Sequence, residues 1–350
     1  MKTRDIELDF LKVIATLLIV LHHYQQVLNV RFKHFNFYGG KFYFGYLVEL
    51  FFIISGICAY RWIQNINKDS SFINFYSKRI RRLLPLMVVS VLVDVILWEF
   101  FKNTFNIIVG PDNISIKNII ISSLGFQAGW GFTNSMINNP MWYISVLLLC
   151  YVIFFVITKI SRRIHMTPYI LYMVMIFCGI IICTCQLHLP FFNEYSYRGY
   201  ICFFSGVIGG KVLDSNWRLH NKNSLFIISL LCGSVLYFEN VYQYYMVAFI
   251  IWPSIILMLR NEKFNKLICS SCWSNMAKSS FNIYVWHCPI LHLLVGVIKV
   301  NDIKCYDTVL FMLISLGIIV GIGILSYIFL EKPIQNILSK CIKKVSRVKE

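Results

Sequence analysis

The apolar residues of this chain fall in long runs, at about 8–29, 42–60, 83–101, 141–158, 168–186, 199–213, 224–238, 242–259, 279–298 and 306–330. A helix needs ~20 mostly apolar residues to cross the hydrocarbon core of a bilayer. The pattern predicts an all-α fold: a polytopic transmembrane bundle of about ten helices, with 1–350 as a single domain. The 199–213 run is short, and only Glu239-Asn240-Val241 separates the seventh run from the eighth. The longest outer connection, 102–140, contains a moderately apolar 114–126, which predicts a short interfacial or re-entrant helix.

Composition agrees with a life in lipid. Hydrophobic residues make up 58% of the 350 positions and charged residues 14%, roughly half the usual soluble share. Disorder, a collagen repeat, a disulfide-knitted mini-domain and an ordinary soluble enzyme are all excluded. The charge is lopsided, with 33 Lys+Arg against 16 Asp+Glu, a formal +17. In a soluble protein that would raise nucleic acid as a partner. Placing successive loops on alternate sides puts 24 of the 33 basic residues on the side that holds both termini. Lys and Arg collect in cytoplasmic loops, so the N- and C-termini are expected to be cytoplasmic and no nucleic acid is implied. The first run contains Lys12 and no small-residue cleavage site follows it, so it is expected to remain as a permanent span. Cys269-Ser-Ser-Cys272 has CxxC spacing but no second pair, and no metal site is expected.

Charged and polar groups at membrane depth are costly and usually face a bundle interior or a wet cavity. In the first helix, Asp9, Thr16, His23 and Gln26 fall within about 60° of Lys12. His22 lies about 80° away. Periodicity therefore selects His23 as the inward imidazole, roughly 16 Å along the axis from Lys12; the plainer alternative is a packing histidine. Glu49, among phenylalanines, is either a working carboxylate or a counter-ion for Lys12 or another cation. Gly56 shares its face and would admit a close helix neighbour. Arg79 and Arg82, at i and i+3, can clamp a phosphate-rich cytoplasmic ligand such as a nucleotide or coenzyme A, or simply anchor the helix. In the ninth run Ser280, Tyr284 and His287 share a face, and Pro289 can free backbone groups beside a cavity. His292 is a weaker candidate, and Asp94 and Glu99 have no assignable partner.

These segments resemble the acyltransferase family 3 membrane proteins nearly end to end. Arg4-Asp-Ile-Glu-Leu-Asp9-Phe-Leu-Lys12-Val-Ile-Ala15 is similar to the family's R-x-x-x-L-D-x-L-R-x-I-A, and its histidine falls at His23. Glu49-Leu-Phe-Phe-Ile-Ile-Ser55-Gly56, Arg79-Ile-Arg-Arg82-Leu-Leu-Pro85, Trp142-Tyr-Ile-Ser145, Ser280 through Pro289 and Glu331-Lys-Pro333 resemble further family segments in order. Lys12 stands where Arg is usual, keeping the charge but losing the guanidinium fork. Leu147 and Leu148 replace an acidic pair of longer members, and the extra periplasmic domain that some members append is not evident.

The resemblance implies an O-acyltransferase of the bacterial cytoplasmic membrane. It would move an acyl group, usually acetyl, from cytoplasmic acyl-CoA to a sugar hydroxyl of a glycan or lipid-linked sugar at the outer side. Acyl-CoA is then a co-substrate, with no bound cofactor. Arg79, Arg82 and Lys12 are expected at the CoA phosphates and His23 as general base. Glu49 or Asp9 is expected to orient that imidazole or balance Lys12. Tyr284, His287 and Trp142 are expected on the substrate side, Tyr284 and His287 also as oxyanion donors. The rival readings are a glycan transporter or flippase and a membrane interaction protein without chemistry.

Overall fold

A computed structural model describes residues 5–66, 70–111, 114–132, 137–214, 223–260, 265, 266, 268 and 270–338. Arg4, Cys269 and the basic tail past 338 lie outside the described residues. Among those described, eleven helices form: α1 Ile6–Leu28, α2 Leu47–Tyr60, α3 Phe72–Phe105, α4 Ile116–Ser123, α5 Trp142–Arg163, α6 Pro168–Thr184, α7 Ser196–Asp214, α8 Asn223–Phe238, α9 Gln243–Leu259, α10 Ser271–Asn301 and α11 Val309–Leu338. Four reach membrane-crossing length and hydropathy: α3, the Asn139–Arg163 segment that includes α5, α10 and α11. Several others are shorter and apolar. The protein is an all-α membrane protein.

Helix ends depart from the apolar runs in an instructive way. α3 begins at Phe72, about three turns before its apolar run, so Lys78, Arg79, Arg81 and Arg82 lie on a helix. Phe72 and Phe75 hold this polar extension by packing their rings against Phe155 of α5. Hydropathy marks only the segment that lipid can surround, whereas tertiary packing carries the helix beyond it.

Helices α2 and α7 approach each other closely. A Cβ on Gly56 would sit 2.0 Å from the Phe203 carbonyl oxygen, and one on Gly206 would sit 2.1 Å from that of Ile53. Backbones this close leave no room for side chains, as in small-residue membrane interfaces. Gly56→Ala is expected to destabilise by roughly 1–3 kcal/mol through overpacking. The check is a lower unfolding midpoint of the detergent-purified protein.

The 102–140 connection forms α4, with Ser115 Oγ accepting from the Asn118 amide. It then plunges inward, burying Gln127, Ile137 and Asn138. Asn138 has a local purpose. Pro289 has no N–H to give the Val285 carbonyl four residues earlier in α10, and Asn138 Nδ2 donates to that carbonyl at 3.1 Å instead. The same amide group donates to Ser90 Oγ of α3 at 3.0 Å. One loop side chain thus repairs a proline defect and ties α10 to α3.

Candidate active site

A cavity of about 680 Å³ opens between α1, α2, α3, α5, α10 and α11. Its mouth is basic: Lys12, Arg61, Lys78, Arg79, Arg82 and Lys278 line it, against Asp5, Asp9 and Glu331. Asp5 near the start of the described chain and Gln335 near its end both line it. Further in, the walls turn to hydroxyl and aromatic groups, namely Thr16, Phe51, Ser55, Tyr143 and Tyr284.

Arg79 is the best-placed cation. Its guanidinium lies 3.6 Å from the Phe75 ring centroid, 4.6 Å from Trp62 and 5.3 Å from Tyr151. Nη1 donates to the Phe75 carbonyl at 2.6 Å. Rings and a carbonyl hold it in place, and no carboxylate among the described residues neutralises it, so its charge is available to an anion. Arg82 feels Glu331, which also accepts from Asn282 and Gln335. Lys12 lines the mouth and is paired with Asp9 at 3.7 Å.

Asp9 and Glu49 keep the counter-ion role the sequence allowed them but not the imidazole-orienting one, and Trp142 leaves the substrate side. Asp9 accepts from Ser274 Oγ at 3.1 Å and pairs with Lys12. It lies fourteen residues before His23, about 21 Å along the helix, and cannot orient that imidazole. Glu49 neither balances Lys12 nor touches a histidine. It is fully buried and takes Arg198 of α7 bidentately, from Nε at 2.5 Å and Nη2 at 2.8 Å. The reason is the close α2–α7 approach, which brings the start of α7 alongside Glu49. Trp142 belongs to this same cluster, with the Arg198 guanidinium 4.6 Å from its ring. Neither Glu49 nor Trp142 lines the cavity.

Beyond Tyr284 stands a chain of rings. Tyr284 and His287 have centroids 5.4 Å apart, His287 and His23 5.0 Å, and His23 and His22 5.1 Å. The residues that line the cavity end at Tyr284, short of all three histidines. Hydrogen bonds define the tautomers. His287 Nδ1 donates to the Tyr284 carbonyl at 2.5 Å, which leaves Nε2, buried and unpartnered, as a lone-pair acceptor. His23 Nδ1 meets Gln26 Oε1 at 2.8 Å, again leaving Nε2 basic. His22 Nδ1 donates to the Phe37 carbonyl at 2.8 Å and pins the following loop. The Tyr284 hydroxyl donates to the Pro140 carbonyl at 2.6 Å. Tyr284 and neutral His287 are therefore not oxyanion donors in this arrangement, because each has its N–H or O–H engaged.

Sequence reasoning missed Arg198, and it left Asp94 and His292 unpaired. These two bond at 2.8 Å between α3 and α10. Asp94 lies 22 residues into α3 and His292 lies 21 into α10, counted from helix starts that the apolar runs did not mark. Two costly groups at equal depth in neighbouring helices are natural partners. Glu99 accepts from Asn103 Nδ2 at 3.2 Å.

The site is thus a cavity with a basic mouth inside an all-α membrane protein, its lining ending at Tyr284, next to which the rings of His287 and His23 follow. The sequence matches the family model described as an acyltransferase domain over residues 5–329. The chain belongs to this acyltransferase family, in keeping with the resemblance its motifs carry. Neither a curated protein nor a solved structure matches it.

Proposed function

We propose that this chain is a multi-pass O-acyltransferase of the bacterial plasma membrane, moving an acyl group, acetyl in the simplest case, from cytoplasmic acyl-CoA to a hydroxyl of a surface glycan or lipid-linked sugar. The observation that carries this reading is the basic mouth around Arg79, opening into a cavity whose far wall is Tyr284, the first ring of the series that leads to His287 and His23. The bias of basic residues toward the side of the termini supports a cytoplasmic mouth. Arg79, Arg82 and Lys12 receive the CoA phosphates. The pantetheine arm enters the narrower, hydroxyl- and aromatic-lined part of the cavity. His23 Nε2 accepts the acceptor hydroxyl's proton as its oxygen attacks the acyl carbon.

Arg79→Ala is expected to raise KM for acetyl-CoA about 10- to 100-fold, since a charge-assisted contact of ~1.5–3 kcal/mol is lost. Lys substitution should recover only part, lacking the fork. Acetyl-CoA titration of the purified protein checks this. NMR of the surface glycan from cells with and without the gene tests the function itself: loss of an O-acyl signal is expected. Export of an unacylated glycan that depends on the chain, with no acyl transfer, would identify a transporter.

A further inference from the structure

A second group of reactive side chains lies one helical turn past the inner end of the cavity. Cys288 follows Tyr284 by four residues on the same face of α10, about 6 Å along its axis. Its Sγ lies 3.7 Å from His292 Nε2. On the other side of that ring, Nδ1 lies 2.8 Å from Asp94 Oδ1 of α3. With Asp94 ionised its oxygen accepts from Nδ1, and Nε2 is the atom that faces the thiol and can exchange a proton with it. A thiol, an imidazole and a buried carboxylate in this order form a nucleophile, its base and the group that orients the base. Among the described residues no other thiol meets an imidazole in this way. Two polar atoms beside the triad are also buried without partners: Asp94 Oδ2 and the indole N–H of Trp98, whose ring lies 5.3 Å from that of His292. A free N–H here is a donor of the kind a developing oxyanion takes.

We propose that Cys288 is an acyl relay, which rests on the acyltransferase reading above. The cavity lining ends at Tyr284, and the buried Cys288 lies one turn further along α10, so the acyl group need move only past Tyr284 to meet its thiol. In the first step the Cys288 thiol gives its proton to His292 Nε2, and Sγ attacks the acyl carbon of acyl-CoA. A new C–S bond forms, the bond to the coenzyme sulfur breaks, and the departing thiolate takes the proton from His292. In the second step the acceptor hydroxyl gives its proton to His23 Nε2, and its oxygen attacks the acyl carbon held on Cys288. The C–S bond to Cys288 breaks, and the thiolate recovers a proton from the imidazolium. Acyl-CoA and alcohol become ester and free coenzyme, with no redox change. Asp94 is a positioning residue in this scheme.

The full-length protein in nanodiscs, given labelled acetyl-CoA without acceptor, should acquire a covalent acetyl group. Neutral hydroxylamine should release it, and peptide mass spectrometry should map it to Cys288. Alkali-deacylated surface polysaccharide added afterwards should discharge the adduct. Cys288→Ala should lose the adduct and slow transfer to that polysaccharide on the order of 10³-fold, while eluting as a monodisperse species. Asp94→Asn should shift the pH profile of Cys288 alkylation by iodoacetamide, which a purely structural tie would not move. If wild-type protein transfers acetyl but forms no adduct, or if Cys288→Ala transfers at the wild-type rate, the relay is overturned and the acyltransferase reading stands. If wild-type protein transfers no acyl group at all, both fall.

Discussion

His23→Ala is expected to lower acyl transfer by about 10²- to 10⁴-fold, the usual weight of a positioned general base. Gln26 orients the imidazole through Nδ1, leaving Nε2 as the basic atom, and the ring lies 5.0 Å from His287. The neighbouring position provides the control. His22 is buried, with Nδ1 bonded to the Phe37 carbonyl and its ring against Tyr38 and Tyr43. Its work is to hold the loop after α1. His22→Gln keeps a donor for that carbonyl and should leave turnover within a few-fold of wild type, with a modest loss of stability of about 1 kcal/mol. Initial rates with acetyl-CoA and purified acceptor decide the matter. Full activity in His23→Ala together with a dead His22→Gln would reverse the assignment.

Glu49→Ala should be the most destabilising of these substitutions, by about 3–5 kcal/mol. It leaves the Arg198 guanidinium in a low-dielectric site where, among the described residues, the Gly45 carbonyl and the Trp142 face remain as its partners. The measurement is the unfolding midpoint in detergent together with the yield of monodisperse protein. A double replacement, Glu49→Leu with Arg198→Met, should recover most of the loss, because desolvating an ion pair costs nearly what the pair returns. The same series separates structure from chemistry. If Glu49 only ties α2 to α7, activity per folded molecule survives in the double variant. Loss of turnover there with an intact fold would restore Glu49 to the catalytic machinery.

Candidate residues differed in how far the sequence alone could place them, and the difference has a physical pattern. Asp9, Lys12, Thr16, Arg79, Arg82, Ser280 and Tyr284 all line one cavity, and each was singled out by helical periodicity or spacing within its own segment. That works because a helix converts sequence spacing into a shared face. Partners were not legible. Glu49 finds Arg198 at a separation of 149 residues and Asp94 finds His292 at 198, and no local rule selects one distant cation over another. The Asn138 repair of the proline defect in α10 likewise depends on a loop folding back 147 residues away.

By itself the sequence determined the solvent and the element type. Apolar runs of membrane-spanning length must form helices, because the bilayer core offers backbone amides no other partner. It also determined which faces carry polar groups, and through six ordered motifs it pointed to the acyltransferase family. Only the tertiary structure decided what those groups do to one another. It assigned Asp9 to Lys12, gave Glu49 and Trp142 to Arg198, ended the cavity lining short of His23 and set Cys288, His292 and Asp94 in line. Asp9–Lys12 and Cys288–His292 are pairs within one helix, but the Glu49–Arg198, Trp142–Arg198 and Asp94–His292 contacts turn on which helices approach closely. That approach is decided by small residues such as Gly56 and Gly206 meeting across an interface, where the fit of two surfaces outweighs anything encoded along one helix.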